Sequence, residues 1–225
     1  MTTLDVMTYN ILLGGRRGQP VRDVVRAVSP DVLLVNECPK TPVLWRRRSR
    51  RLAERCGLRF VGGGRPAGSN LVAVASGVGL VSVHAERLRQ PFGAPRRGVV
   101  AAQLRVQGRL LGVVSCHLSL DADRRLVEVA RVVELGERLR GPVVVAGDLN
   151  EGPDGPSWRL LERSGYVDHG SSRWRTFPAD RPERRIDALL VRGDVEVLHH
   201  GDPGVEAGLL AEASDHRPVL AVLEV

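Results

Sequence analysis

The sequence predicts an α/β fold with mixed β-sheets, and three observations support that prediction. Short apolar runs such as Val32–Val35 and Val143–Ala146 are typical of strands buried on both faces. Helical segments alternate with some of these strands, which favours parallel pairs, whereas other strands follow one another closely and favour hairpins. The chain of 225 residues shows no linker, low-complexity tract or short repeat. We therefore expect a single domain over residues 1–225.

Local patterns place the individual elements. Leu4–Ile11 alternates between polar and apolar residues, Pro20 stands at a favoured first helical position, and Asp121 can cap another helix. The predicted strands cover Leu4–Ile11, Val32–Val35, Leu71–Ala75, Gly79–Val83, Val99–Val106, Leu110–His117, Val143–Ala146, Ile186–Val191, Val195–His199 and Pro218–Val225. The predicted helices run from Pro20 to Val28, from Thr41 to about Cys56, from Asp121 to about Arg140, and from a Ser157 cap to about Gly165.

Two regions could bind phosphate but have simpler interpretations. Six arginines lie between Arg46 and Arg55, and a solvated helix face is the commoner meaning of such a run. The segment Gly62–Gly68 is rich in glycine but lacks the Gly-Lys-Ser/Thr ending of a P-loop, so we predict a turn.

Composition limits the surroundings and partners of the protein. The net charge of +7 is compatible with a polyanionic partner, although Lys40 is the only lysine and an arginine bias can equally reflect codon composition. The cysteines Cys38, Cys56 and Cys116 are an odd number without zinc-site spacing, which indicates buried thiols in a reducing compartment. No signal peptide or bilayer-spanning run is evident, so we expect a cytoplasmic protein.

Polar residues stand at the ends of most of the apolar runs. Each could have a purely structural role, because Glu37 could cap a strand and a lone His117 is more often a core histidine. If the strand ends converge, their unpaired carboxylates would repel one another by several kcal/mol. A divalent cation relieves such repulsion, and hard oxygen ligands favour Mg²⁺ over Zn²⁺. The residues concerned are Asn10, Glu37, His117, Asp148, Asn150, Asp187, Asp215 and His216.

Six short motifs occur along the chain in a characteristic order. They are TYNI (8–11), NE (36–37), SCHL (115–118), GDLN (147–150), RID (185–187) and SDH (214–216). Together they resemble the endonuclease/exonuclease/phosphatase superfamily, which includes DNase I-like enzymes, and the match spans almost the whole chain. The resemblance implies a four-layer α/β sandwich, in which two mixed β-sheets pack face to face with helices outside. It also implies a Mg²⁺-dependent phosphoesterase, with Mn²⁺ as a substitute ion.

The resemblance further implies a metal site beside an acid–histidine pair. Glu37 would hold the metal ion, with Asn10 beside it and Asp215 as a further ligand candidate. Asp187 would orient His216 and fix its tautomer, and His216 would then activate water or stabilise the transition state.

The other residues of the cluster would act directly on water and phosphate. Asp148 would position or deprotonate the attacking water, and Asn150 would donate hydrogen bonds to a phosphoryl oxygen. His117 would bind the phosphate and could protonate the leaving oxygen, and its presence argues against the abasic-site endonuclease branch. Asn36 stands where the family often has glutamine. A glutamate partners the histidine in the DNase I-like branch; here Glu86 is only a loose candidate, so the acid partner of His117 is left open.

The loops outside the motifs would select the substrate. Arg96, Arg97, Trp174 and Arg175 are candidate substrate-binding residues, because arginine beside an aromatic suits a nucleic-acid backbone or an unstacked base. Alternatively, the arginines serve solubility and Trp174 packs into the core. Nucleic acid is the first expected substrate and a small soluble phosphorylated metabolite the second. No apolar hairpin suits a membrane substrate, and no obligate protein partner is indicated. A non-catalytic binding module would have lost the acids, and all four are present.

Overall fold

The computed structural model describes residues 3–14, 19–39, 43–171 and 173–225, which form two mixed β-sheets flanked by helices. The strands are β1 (Thr3–Asn10), β2 (Val32–Asn36), β3 (Arg59–Gly64), β4 (Asn70–Val74), β5 (Val78–Leu88), β6 (Arg97–Val106), β7 (Arg109–His117), β8 (Val143–Asp148), β9 (Asp187–Arg192), β10 (Glu196–Gly201) and β11 (Val219–Glu224). The helices are α1 (Gln19–Val28), α2 (Trp45–Arg55), α3 (Ala122–Glu137), α4 (Pro156–Arg163) and α5 (Ala207–Ala213), and a 3₁₀ turn covers Arg65–Ala67.

Each sheet contains one parallel pair of strands among antiparallel neighbours. The six-stranded sheet has the order β10-β11-β1-β2-β4-β3, and the five-stranded sheet has the order β5-β6-β7-β8-β9. The parallel pairs are β1 with β2 and β7 with β8. A parallel pair needs a crossover connection, which α1 supplies in the first case and α3 in the second.

The alternation of side chains along each strand divides the apolar residues among three cores. Val6 and Val144 belong to the core between the two sheets. Met7 faces the other way, into the core that α1, α2 and α5 cover, and Val145 packs with Trp158 under α3 and α4. The molecule therefore has four layers with the helices outside, which confirms the predicted fold class.

The helices agree with the sequence in their apolar faces and less well at their ends. Asp121 caps α3 as predicted, because its carboxylate accepts a hydrogen bond from the Arg124 backbone N–H at 3.0 Å. The predicted Ser157 cap is wrong: Gly155 precedes α4, which begins at Pro156. The predicted start of the second helix at Thr41 lies outside the described residues, and the six arginines of α2 are exposed. No helix in the described ranges is long and apolar enough to cross a bilayer.

Three elements differ from the predictions. The predicted turn over Gly62–Gly68 is wrong in its first half, because Gly62–Gly64 continue β3 and pair with β4. The short helix α5 was not predicted. The strand β5 continues to Leu88, so the basic connection before β6 covers only residues 89–96. Strand β5 is a sheet edge with mostly exposed side chains, and its apolar pattern is correspondingly weak.

The carboxyl ends of the two parallel pairs meet at one edge of the sandwich. Asn36, at the end of β2, donates a hydrogen bond to the Cys116 carbonyl oxygen of β7 at 2.9 Å. Its side-chain oxygen accepts a hydrogen bond from the Asp148 backbone N–H of β8, also at 2.9 Å. One buried amide thus joins the two sheets where the polar strand ends converge.

Candidate active site

Asp148 lies at the centre of the polar cluster. Its Oδ2 atom is 3.0 Å from Asn10 Nδ2, 3.3 Å from His117 Nε2 and 3.7 Å from His216 Nε2. The strands bring these groups together, because Asp148 pairs with His117 in parallel register and with Asp187 in antiparallel register. The Asp148 side chain is 2% exposed.

A close backbone contact at Gly147 fixes the position of Asp148. Gly147 has φ 143°, and a Cβ atom there would overlap the Cys116 carbonyl oxygen of the neighbouring strand. Only glycine meets both conditions. Asn36 then binds the next backbone N–H, that of Asp148, and its amide also donates to Asn70 Oδ1 at 3.0 Å. In the GDLN motif, Gly147 is therefore required by the backbone, and Asp148 supplies the carboxylate at the centre of the cluster.

Asp187 and His216 form a buried, hydrogen-bonded pair. Asp187 Oδ2 lies 2.8 Å from His216 Nδ1, and a carboxylate can only accept, so Nδ1 carries the hydrogen. The other ring nitrogen, Nε2, faces Asp148. Thr176 Oγ1 accepts hydrogen bonds from the backbone N–H groups of Ile186 and Asp187 at 3.2 Å. The Asp187–His216 pair therefore has the connectivity predicted for it.

The charges of the cluster displace two pKa values. Burial above all, and then the charge of Asp187, raise the pKa of Asp148 to about 7, against the opposing effects of His216 and of two hydrogen bonds. Burial lowers the pKa of His216, but the ion pair and hydrogen bond with Asp187, together with the charges of Asp148 and Asp215, outweigh it and raise that pKa to about 9. Near neutral pH, His216 is an imidazolium that faces a carboxyl group near the middle of its titration.

An arginine lies within hydrogen-bond distance of the remaining nitrogen of His117, and that nitrogen is not contacted by Glu86. Arg97 Nη1 lies 3.2 Å from His117 Nδ1. A guanidinium can only donate, so Nδ1 accepts and the ring hydrogen sits on Nε2, which faces Asp148. Glu86, the loose candidate for this position, is occupied elsewhere: its carboxylate binds Arg131 at 2.6 Å and His84 at 2.7 Å. The suggestion of Glu86 as the partner of His117 is therefore wrong.

Glu37 and Asn10 leave adjacent parallel strands at the same level. Asn10 pairs with Asn36, so Glu37 is the next residue beyond the pair. Glu37 has φ 56°, and its side chain is 22% exposed, so its carboxylate reaches solvent where that of Asp148 does not. Its Oε1 atom lies 3.9 Å from His117 Nδ1. Asp215 is half-buried, and Ser214 Oγ lies 3.4 Å from its Oδ1.

Asn150 closes the loop after β8. It has φ 52°, and its backbone N–H donates to Asp148 Oδ1 at 2.9 Å. Its side-chain amide donates to the Leu118 carbonyl oxygen at 2.8 Å. An amide group has two hydrogens, so Asn150 can bind a second acceptor in the cleft.

The four candidate substrate-binding residues have different environments. Arg96 and Arg175 are exposed, whereas Arg97 is buried against His117. Trp174 is partly buried, contacts two of the cores, and donates from its indole to the Pro218 carbonyl oxygen at 3.0 Å. The described contacts of Arg97 and Trp174 are therefore with other residues of the protein.

Asn36, Asn70 and Thr176 support the cluster but were not identified from the sequence as functional. Asn70 Nδ2 donates to the Gly98 carbonyl oxygen at 2.5 Å and so ties β4 to β6 beside His117. Asn36 and Asn70 could have been suspected, because each is an amide at the end of an otherwise apolar strand pattern.

Three side chains of the cluster have the close spacing of a metal-binding group. Ligand atoms of Asp148, Asp187 and His216 lie within 4.8 Å of one another, and all three side chains are buried. The site combines the solvent-accessible carboxylate of Glu37, the buried acid Asp148, which can accept a proton, and the charged imidazole of His216. Such groups suit the hydrolysis of a phosphate ester.

The family profile described as the Endonuclease/Exonuclease/phosphatase family matches residues 7–216. The chain therefore belongs to this family, whose members are phosphoesterases. No curated protein sequence matches it.

Three solved structures illustrate the shared fold. The endonuclease/exonuclease/phosphatase from Bacteroides vulgatus is 17% identical with a TM-score of 0.79, over 100% of both chains. The mannosyl-6-phosphatase from Bacteroides thetaiotaomicron is 17% identical with a TM-score of 0.78, over 99% of this chain and 100% of that one. D. rerio TDP2, solved with a single-strand DNA product, is 16% identical with a TM-score of 0.74, over 100% of both chains.

Proposed function

We propose that this protein is a Mg²⁺-dependent phosphodiesterase that hydrolyses nucleic acid by in-line attack of water. The observation that carries the proposal is the linked arrangement of Asp187, His216 and Asp148. A 2.8 Å hydrogen bond holds the imidazole, whose other nitrogen lies 3.7 Å from a buried acid. Asp187 thereby keeps a positive charge on the imidazole of His216, and Asp148 lies beside it as a proton acceptor. Both groups are buried away from most water.

In the proposed mechanism, Asp148 orients the attacking water and accepts its proton. A general base works best when its pKa lies near the operating pH, and burial has raised that of Asp148 to about 7. His216, kept charged by Asp187, stabilises the negative charge that grows on the phosphoryl oxygens. Asn150 donates a hydrogen bond to one of those oxygens.

His117 acts in this mechanism as a donor from Nε2. Arg97 occupies the acceptor side of the ring, so the Nε2 hydrogen points into the site. There it binds a phosphate oxygen. We assign His117 to phosphate binding and not to proton transfer, because a ring with its one hydrogen on Nε2 would become an imidazolate if it gave that hydrogen away.

We further propose that Glu37, with Asn10 and Asp215, would hold the Mg²⁺ ion. Their carboxylate and amide oxygens are the hard ligands that this ion prefers, and Glu37 is accessible from solvent. The compact group of Asp148, Asp187 and His216 is less suitable, because its atoms already bind one another. When bound, the ion would neutralise charge on the phosphate, and Mn²⁺ could substitute for it.

A nucleic-acid substrate is favoured by the charge of the protein. The net charge is +7, and Arg96 and Arg175 are exposed near the ends of two connections. A structural neighbour of this chain, D. rerio TDP2, was solved with a single-strand DNA product. The second candidate is a small phosphorylated metabolite, supported by the equally similar fold of a mannosyl-6-phosphatase. We propose the cytoplasm as the location, because the three cysteines are buried and form no disulfide among the described residues.

The test is a substrate panel measured at two salt concentrations. Single-stranded DNA, duplex DNA, RNA, a set of phosphomonoesters and bis-p-nitrophenyl phosphate are incubated with the protein and Mg²⁺. Cleavage of a polymer that weakens steeply with salt would support the proposal, because each phosphate contact releases counterions. Turnover of a small ester with every polymer left intact would instead establish the metabolite phosphatase.

A further inference from the structure

Three arginines outside the catalytic cluster lie together on the flank of the site. Arg65 opens the 3₁₀ turn after β3, Arg87 lies near the end of β5, and Arg96 immediately precedes β6. All three are exposed. Arg87 Nε donates a hydrogen bond to the Arg65 carbonyl oxygen at 3.1 Å, which joins the first two directly. We call Arg65, Arg87 and Arg96 the arginine cluster.

Close backbone packing holds the arginine cluster in place. Arg87 pairs with Gly98 across the β5–β6 ladder. A Cβ atom at Gly98 would overlap the Ala67 carbonyl group, and one at Gly68 would overlap the backbone of Arg97. The 3₁₀ turn therefore lies directly on the end of the β5–β6 ladder. Arg65 and Arg87 therefore extend from closely packed backbone segments, and Arg96 stands directly before the paired residue Arg97.

No carboxylate of the described residues pairs with the arginine cluster. None of the three arginines forms an ion pair with a carboxylate within 4.0 Å in the described parts of the chain. Nearby Arg131 differs, because it binds Glu86 at 2.6 Å. Burial, together with the charges of Arg96 and Arg65, lowers the pKa of Arg87. Like charges held together in this way are stabilised by a bound anion.

The arginine cluster adjoins the catalytic groups. Arg96 is followed by Arg97, whose guanidinium contacts His117. On the other side, the segment after Arg65 leads to Ser69, whose carbonyl oxygen accepts a hydrogen bond from the Cys38 backbone N–H at 2.9 Å. Cys38 follows Glu37. An extended anion that occupies the catalytic site can therefore continue over the arginine cluster.

An exposed aromatic ring stands in the same connection. Phe92 lies between β5 and β6, four residues before Arg96, and its side chain is fully exposed to solvent. The exposed face of the ring is available for stacking with an unpaired base, and Arg96 follows in the same connection.

We propose that the arginine cluster binds backbone phosphates of a single-stranded nucleic acid next to the phosphate being cleaved, and that Phe92 stacks on one of its bases. The proposal rests on the nuclease function proposed above and adds the path of the strand across the protein. A small metabolite with one phosphate would have no group to place on these three arginines.

The experiment measures binding of a fluorescent single-stranded oligonucleotide of about 12 nucleotides, within the length that such surfaces accommodate. The parent protein carries Asp148→Asn, so that the strand is not cut. Arg65→Gln with Arg87→Gln is added to it, and Kd is determined by fluorescence anisotropy at several salt concentrations. A matched control replaces Arg105 and Arg109 with Gln. These exposed arginines lie at the opposite end of the β6–β7 hairpin, so the same charge is removed elsewhere.

The double variant should bind at least about tenfold more weakly, because each phosphate contact involves a charged hydrogen bond. The slope of log Kd against log salt should fall by about 1.4, because each phosphate of a single strand that an arginine neutralises accounts for about 0.7. Phe92→Ala should raise Kd at least about fivefold and leave the salt slope unchanged. Arg65→Lys with Arg87→Lys should keep the salt slope, and melting temperatures confirm that all variants are folded.

Equal Kd values and slopes for the double variant and the Arg105/Arg109 control would overturn the proposed path, even if the unsubstituted enzyme cuts DNA. Conversely, an enzyme that cuts no polymer would overturn the nuclease function. The binding measurement still decides about the arginine cluster in that case, since a loss of affinity confined to the double variant would support the site.

Discussion

Asp187→Asn should lower the pKa of His216 while keeping its ring in place. Asparagine has nearly the same shape as aspartate, and its amide oxygen can still accept the hydrogen bond from Nδ1 that measures 2.8 Å in the protein. What disappears is the negative charge. The His216 side chain is only 7% exposed, so burial still disfavours its charged form, and only the charges of Asp148 and Asp215 remain to oppose that effect. We expect the pKa to fall from about 9 to 6.5 or below.

The size of the effect follows from that difference. A displacement of 2.5 in pKa corresponds to about 3.4 kcal/mol between the charged and neutral forms, taking the wild-type value of about 9 against 6.5. At pH 7.5 the protonated fraction of His216 would fall from about 97% to about 10%. Since the folded pKa is raised, the ion pair stabilises the protein fully below pH 6.5 and is lost as the pH rises through about 9.

The assay is an NMR titration of the His216 ring in metal-free buffer, with the resonance assigned by its loss in His216→Gln. Asp194→Asn is the matched control, because it removes an exposed acid just beyond the far end of β9. A wild-type His216 that titrates near 6.5, or an Asp187→Asn protein that titrates with the wild type, would refute the reasoning.

Four further changes have defined outcomes. Asn36→Ala should lower the free energy of unfolding by at least about 3 kcal/mol in urea, because three buried partners lose a hydrogen bond; a loss under about 1 kcal/mol would contradict this. Gly147→Ala should lower the free energy of unfolding by at least about 3 kcal/mol, because the added Cβ atom would overlap the Cys116 carbonyl oxygen; an alanine variant as stable as the wild type would contradict this. Glu86, whose pKa is lowered to about 2 chiefly by its hydrogen bond with Arg131, should stabilise the fold above pH 4.5 and lose this effect as the pH falls toward 2. Wild type and Glu86→Gln should therefore converge in stability in acid, and divergence would contradict the pairing. EDTA should abolish hydrolysis and Mg²⁺ restore it; activity that persists in EDTA would exclude the proposed cation.

The buried strands were predictable because their apolar side chains form a recognisable pattern in the sequence. Val32–Val35 and Val143–Ala146 are unbroken apolar runs, and both are central strands in the structure. Strand β3 was missed for the opposite reason. Gly62, Gly63 and Gly64 have no side chains to produce a pattern, and their pairing with β4 is a property of the backbone.

The positions of the candidate catalytic groups and the Asp187–His216 pair were largely predictable, whereas the partner of His117 was not. Asn10 and Asp148 end their strands and Asp187 begins an antiparallel one, so their convergence at one edge could be expected once the fold was assumed. Arg97 could not be distinguished from Arg96 by sequence. Strand geometry places one guanidinium on His117 and the other in solvent, and that alternation depends on the exact register at the start of β6.

Helix α5 shows the limit of local signals. It has seven residues, and its cap is Glu206, whose carboxylate accepts from the backbone N–H groups of Gly208 and Leu209. Glutamate is an uncommon cap, so no start signal was apparent. The helix is stabilised by packing of Leu210 and Ala213 on the sheet, which depends on tertiary structure.

Hydrolysis of bis-p-nitrophenyl phosphate by wild type and Asp148→Asn, both with Mg²⁺ and both shown to be folded, tests the proposed chemistry most directly. If Asp148 orients and deprotonates the attacking water, kcat should fall about 10²–10⁴-fold in the variant. A variant that retains a rate within about threefold of the wild-type value would show that Asp148 has no such role.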